Sequence, residues 1–188
     1  MRKYPLPICL LLLGLLICAC SSKTLPLLGL KFEKAASNVT ATDWKFEKAA
    51  INFTITADDL LNLDEDIPHT LSLCVYQLKD WNRFNRIADN HKGLYKLMEC
   101  NRFDSSVTSV RRLIVNPGQT LDFSLDRAEG TQYVAIVAGY YLLEKQRMIR
   151  FYKVPVREYK KGLIMKKKFQ IPAVMNIILN LGPKQIMN

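Results

Sequence analysis

Apolar and polar positions alternate with a period of two along most of the chain after residue 45, and that alternation predicts strands. Ile51, Phe53 and Ile55 fall on one face and Asn52, Thr54 and Thr56 on the other. Leu71 to Tyr76 alternates in the same way, and Val107 to Val115 is rich in β-formers. Leu121, Phe123 and Leu125 interleave with Asp122, Ser124 and Asp126, which describes a strand with one wet face. Tyr133 to Tyr141 is apolar on both faces and should be a central strand. Arg147 to Val154 reads as a strand with basic outward residues, and Lys166–Gln170 and Asn176–Leu181 can supply the last two. The period changes only once. Phe84, Ile87 and Ala88 are spaced as one helical face, with Asp80 as the expected N-cap of a helix from Trp81 to Ala88, and Gly93 to Met98 reads as a second short turn. Asn116-Pro117-Gly118-Gln119 is a turn signal. Seven or eight short strands with one small helical insertion predict an all-β sandwich rather than βαβ units, with a barrel as the competing closure.

The strand over 51–56 belongs to a duplication. Residues 31–44 and 45–58 share nine identities in fourteen positions, beginning with Lys-Phe-Glu-Lys-Ala-Ala in each. Two copies do not make a solenoid. The first copy carries Ser37, Val39 and Ala41 where the second has Ile51, Phe53 and Ile55. It has lost the buried face, so residues 20–44 are expected to be a solvated spacer and residues 45–188 the folded domain.

The N-terminus changes the setting of that domain. Arg2 and Lys3 precede an apolar run from Ile8 to Ile17. The run is far short of the about 20 residues that cross a bilayer, so residues 1–19 read as a signal peptide. Leu16, Ile17, Ala19 and Cys20 resemble a bacterial lipobox, in which the cysteine becomes the acylated first residue. Ser21 in the next position resembles outer-membrane sorting. The alternative is an ordinary cleaved signal or short anchor with Cys20 incidental.

Composition refines this picture. Removing the signal leaves 169 residues, enough for one domain, and lowers the formal charge from +10 to +8. Ten Lys or Arg and one acid, Glu158, fall between Lys145 and Lys168. Such a run can face an anionic lipid surface or a partner, or be a solvated face; a periplasmic setting argues against nucleic acid. Five acids fall close together at Asp58, Asp59, Asp64, Glu65 and Asp66. Cys9 and Cys18 leave with the signal and Cys20 is consumed by lipid, so Cys74 and Cys100 remain as a pair in an oxidising compartment. A disulfide between them, or two buried free thiols, are the two readings.

Catalytic signatures are missing. The two histidines, His69 and His91, stand in no paired metal-ligand spacing, and the chain has neither a Gly-rich phosphate loop nor a Gly-x-Ser-x-Gly elbow. The acids of 58–66 lack the Gly and terminal Glu of an EF-hand. No enzyme, cofactor, metal or small-molecule substrate is expected, apart from the covalent lipid at Cys20.

Leu63-Asp64-Glu65-Asp66, Cys74-Val75-Tyr76-Gln77-Leu78-Lys79-Asp80, Phe84, Gly93-Leu94, Asn116-Pro117-Gly118-Gln119, Asp126-Arg127-Ala128-Glu129-Gly130 and Tyr133 to Tyr140 together resemble the TssJ (VasD/SciN) family of type VI secretion lipoproteins. The resemblance covers about residues 45–156. It implies a transthyretin-like β-sandwich with a small helical insertion, on an outer-membrane lipoprotein facing the periplasm. It implies binding to the periplasmic domain of TssM and, through it, association with TssL. The loop between the first two strands is implied as the contact; here that is Asp58–Thr70, with Asp58, Asp59, Leu60, Leu61, Asn62, Leu63, Asp64, Glu65, Asp66 and Ile67 as the expected partner-binding residues. The competing arrangement turns Leu61 and Leu63 inward to cap the core. A stand-alone periplasmic binding module or inhibitor is the alternative function. The 31–44 copy and the basic end from Lys153 depart from the family pattern.

Overall fold

The computed structural model describes residues 39–40, 42–161 and 167–187. The signal segment, Cys20 and most of the expected spacer lie outside the described residues.

The elements follow as β1 (Val39–Thr40), β2 (Glu47–Ala57), β3 (Leu71–Leu78), α1 (Asn82–Ala88), α2 (His91–Met98), β4 (Val107–Val115), β5 (Thr120–Arg127), β6 (Tyr133–Ala138), α3 (Lys145–Met148), β7 (Ile149–Lys153), β8 (Val156–Lys161), β9 (Lys167–Pro172) and β10 (Met175–Leu181). A three-stranded sheet, β10-β2-β5, faces a four-stranded sheet, β4-β3-β6-β7. These two sheets are the expected seven-stranded sandwich. The third sheet, β1-β9-β8, lies outside it.

Alternation explains which strands pack where. Ile51, Phe53 and Ile55 of β2 and Met175, Ile177, Leu179 and Leu181 of β10 are buried on one face. Phe53 stacks on Phe123 of β5 with ring centres 4.9 Å apart. β3 and β6 are central in their sheet and buried on both faces. One face meets the other sheet: Gln77 of β3 donates to the Asp126 carbonyl at 2.9 Å and accepts from the Ala128 N–H at 2.9 Å. The opposite face is covered by α1 and α2. There the Tyr76 hydroxyl donates to the Leu97 carbonyl at 2.7 Å, and its ring packs edge-on against Phe84. Burial pushes the Tyr76 phenol up to about 12.

The helical insertion is pinned covalently. Cys74 and Cys100 form a disulfide with Cα atoms 5.3 Å apart, which ties the end of the insertion to β3. Phe84, Ile87 and Ala88 are buried together as their spacing predicts. Asn90 caps α2, its side chain accepting from the Gly93 N–H at 2.9 Å. A Cβ on Gly93 would lie 1.7 Å from the Ile87 carbonyl oxygen, so only glycine lets the two helices approach this closely.

Four expectations need correction. Asp80 is not the N-cap of α1; Trp81 is, and Asp80 stands before it and accepts from the Asn82 N–H at 3.0 Å. That bond holds the Asp80 carboxyl below its usual range. The central strand stops at Ala138 rather than Tyr141: the Gly139 N–H makes the last in-register bond to β3, to the Ser72 carbonyl, and the Tyr140 N–H then turns back to the Ala138 carbonyl at 3.0 Å. The strand expected from Arg147 begins only at Ile149, after the single helical turn of α3. Finally, strand pairing begins before residue 45. Val39 and Thr40 pair in parallel with Lys168 and Phe169 of β9.

Candidate functional site

The β2–β3 connection, residues 58–70, is a braced loop rather than a slack one. Its start is fixed by β10 and the β4–β5 turn. The Asp58 N–H donates to the Leu181 carbonyl at 2.8 Å, and the Asp58 carbonyl accepts from the Leu61 and Gly118 N–H groups at 3.0 and 3.1 Å. The Asp58 carboxylate accepts from the Leu60 N–H at 2.8 Å, an Asx turn. Gly118 takes a left-handed φ of 67° in the predicted turn, beside the Asp59 carboxylate.

The middle of the loop is a structural peg. Leu61 is 0% exposed and joins the core, and its carbonyl accepts from the His69 N–H at 2.9 Å, closing the loop on itself. Asn62 adopts a left-handed φ of 48° and is buried. Its amide nitrogen donates to the Thr70 carbonyl at 3.2 Å, and its amide oxygen accepts from the Tyr141 N–H at 3.2 Å. Leu61 therefore turns inward, as the competing arrangement has it, and neither it nor Asn62 presents side-chain surface outward in the free protein. Leu63 is half-buried, and its N–H donates to the Pro183 carbonyl at 2.8 Å.

The tip is a tight turn. Asp64 and Ile67 exchange backbone hydrogen bonds at 3.1 and 2.8 Å across Glu65 and Asp66, whose φ angles of 45° and 62° are those of a type I′ turn. What the loop offers outward is Leu60, 48% exposed, and Ile67, 57% exposed, set among the carboxylates of Asp58, Asp59, Asp64, Glu65 and Asp66, all exposed. Each of these apolar residues leaves about half its surface exposed.

Two neighbours extend this surface. The Asn62 bridge sets Tyr141, 55% exposed, and Leu142, 47% exposed, beside the loop. His69 packs edge-on against the Tyr141 ring, with centres 5.2 Å apart. A cleft of about 280 Å³ lies beside Tyr141, lined in part by Leu63, Asp64, Leu142 and Pro183. Burial holds the Tyr140 phenol well above its usual range, so it is neutral here. Reading Tyr141 as part of a strand hid this contribution; the signal was the pair of apolar residues that follows Tyr140 after Gly139.

The basic run does not form a second surface as a whole. Lys145 donates to Asn85 at 2.7 Å and pairs with Asp89 at 2.5 Å, Arg147 pairs with Glu144 at 2.6 Å, and Arg150 donates to the Ile186 carbonyl. Lys145 fastens α3 to α1, Arg147 is engaged within its own turn, and Arg150 fastens β7 to the C-terminal segment. Among the described residues no group of three or more His, Cys, Asp or Glu is placed to hold a metal ion, and no helix is long and apolar enough to cross a membrane.

Comparison with known proteins places this geometry. A search of curated proteins finds no match. The fold is shared with the lipoprotein TssJ1 of the Pseudomonas aeruginosa type VI secretion system, at 16% identity and a TM-score of 0.52, over 76% of this chain and 92% of that one. It is shared with Serratia marcescens Lip, a membrane-bound component of the same kind of system, at 14% identity and a TM-score of 0.55, over 72% and 93%. A structure described as the C-terminal domain of TssM from EAEC matches at 12% identity and a TM-score of 0.52, over 73% and 94%. These likenesses establish the sandwich. The T6SS-SciN family, described as type VI secretion lipoprotein, VasD, EvfM, TssJ, matches residues 49–173, from within β2 to just beyond β9. With two-thirds of its length and every sandwich strand but β10 inside that match or entering it, the chain belongs to the TssJ family of type VI secretion lipoproteins.

Proposed function

We propose that this protein tethers the type VI secretion membrane complex to the outer membrane. Acyl chains on Cys20 hold it in the periplasmic leaflet, and the β2–β3 loop binds the periplasmic domain of TssM, which brings TssL into the same assembly. Family membership supports the assembly. The braced loop carries the contact, because it presents half-exposed Leu60 and Ile67 on a backbone already fixed at both ends. A preorganised loop loses little further entropy on binding. The acids around the two apolar side chains act mainly on association rate and salt dependence. One acyl chain gives marginal attachment and two or more a stable one, so lipidation at Cys20 suffices as an anchor.

Calorimetry between the mature chain and the periplasmic domain of TssM tests the contact. Saturable binding that weakens as salt rises is expected. Absence of heat and of co-elution at high micromolar concentration would reject it.

A further inference from the structure

The sheet outside the sandwich is the least explained part of the molecule. β8 and β9 pair only with each other and with β1, and neither joins a sandwich sheet. Between Val156 and Lys168 the sequence holds six Lys or Arg against one acid, Glu158. The register sets Lys160 opposite Lys168 and Lys161 opposite Lys167, toward the free end of the hairpin. Like charges directly across a ladder repel, so this arrangement disfavours the isolated hairpin and favours an anionic counter-surface. Glu158, paired across the ladder with Gln170 and accepting from its amide at 2.8 Å, is one charge against six and leaves the stretch strongly positive. One step toward the sandwich, Tyr159 stacks on Phe169 with ring centres 5.4 Å apart, and Ile171 follows on the same face; both Tyr159 and Ile171 are exposed. Cations at the end of a hairpin with aromatic and aliphatic side chains behind them match the layering of a lipid interface.

Topology gives the hairpin a direction. Its base, where the Ala173 N–H donates to the Pro155 carbonyl, follows the end of β7 and precedes the start of β10. β10 runs parallel to β2, and the ends of both lead to the β2–β3 loop. The hairpin therefore leaves the sandwich at the end opposite that loop. β1 runs parallel to β9, so Val39, at the start of β1, lies at the lysine-rich end of the hairpin. The 18 residues between Cys20 and Val39 reach at most about 65 Å.

We infer that the β8–β9 hairpin docks on the anionic phospholipid surface in which Cys20 is anchored, with Lys160, Lys161 and Lys168 at the headgroups and Tyr159 and Phe169 at the interface. This rests on the lipid-anchor reading for the membrane's position, and on the described hairpin for the contact. Docking here turns the β2–β3 loop away from the membrane, toward the periplasm.

The test uses the mature chain carrying Cys20→Ser, so that no acyl chain contributes and no TssM is needed. Flotation with vesicles of phosphatidylethanolamine and phosphatidylglycerol is expected to carry the protein, with phosphatidylcholine vesicles leaving it behind and salt releasing it. Each lysine near such a surface is worth about fivefold, so K160Q/K161Q/K168Q is expected to weaken partition about a hundredfold, while the three Lys→Arg changes preserve it. These side chains are on a separate sheet, and circular dichroism confirms that the variants remain folded. Equal binding to neutral vesicles, or full binding by the triple variant, overturns the inference. So does a wild-type chain that ignores anionic vesicles while the triple variant loses affinity for TssM; that outcome makes the hairpin a protein contact.

Discussion

Leu60 and Leu61 are adjacent in sequence and should behave oppositely, and this contrast separates the two roles of the β2–β3 loop. Leu61 has no exposed surface and packs in the core beneath the loop. Leu61→Ala removes three buried carbon atoms from a site held by hydrogen bonds on either side, so the cavity collapses poorly. The expected cost is about 3 kcal/mol, within the range of about 2–5 for such changes. For a domain of this size that is a fall in Tm of roughly 6–12 °C. Leu60 and Ile67 are about half exposed in the free protein and have already gained only part of their burial energy. Completing that burial against a partner contributes about 0.8–1.5 kcal/mol each, half of the value for a whole side chain. Leu60→Ala/Ile67→Ala is therefore expected to weaken binding to TssM roughly ten- to hundredfold with a Tm change under about 3 °C. Differential scanning calorimetry and titration calorimetry on the same preparations read both quantities. If Leu61→Ala leaves Tm unchanged, the peg is wrong. If the double variant binds TssM as tightly as the parent, the loop is not the contact.

Other parts of the framework give sharper numbers. Replacing both Cys74 and Cys100 by alanine opens a link across 26 residues and should cost about 3–4 kcal/mol, visible as a lower Tm; an unchanged melt would mean that the link contributes nothing. Gln77→Leu strands the Asp126 carbonyl and the Ala128 N–H inside the sandwich and should destabilise by about 2–4 kcal/mol in urea unfolding, whereas a neutral result would show that water replaces the amide. Burial raises Tyr76 to about 12 and raises Tyr140 and Tyr152 as well, while the unfolded phenol titrates near 10. The unfolded chain then binds fewer protons than the native one above that pH, so stability is full below about pH 10 and falls as pH rises toward 12. Urea midpoints that stay flat from pH 9 to about 12 would contradict this.

How much of this could be read from the sequence follows from what each residue packs against. β2, β5 and β10 were legible because each lies on a sheet with one face on the core, which writes its register into alternate residues; β4 does not alternate and was legible from its β-forming residues, Val107–Val115 matching it to the residue. β8 was invisible for the same reason. Arg157 to Lys161 are all exposed and face no core, so nothing forces them to alternate. Val39 and Thr40 escaped because two paired residues at the edge of that same outlying hairpin are too few to show a period. The loop was legible as a loop, and its acids as exposed. Which leucine turns inward was not, because the left-handed turn at Asn62 decides it and no periodicity extends through such a turn. Tyr141 was misread because an apolar run continues past the point where Gly139 ends the strand.

The tether claim is tested most directly by the distribution of TssM between separated inner and outer membranes. In cells with the intact protein, a share of TssM should fractionate with the outer membrane. That share should vanish with Cys20→Ser, which frees the anchor, and with Leu60→Ala/Ile67→Ala, which frees the partner, while this protein stays in the outer membrane only in the second case. If TssM fractionates identically in cells that lack the protein altogether, the account is contradicted.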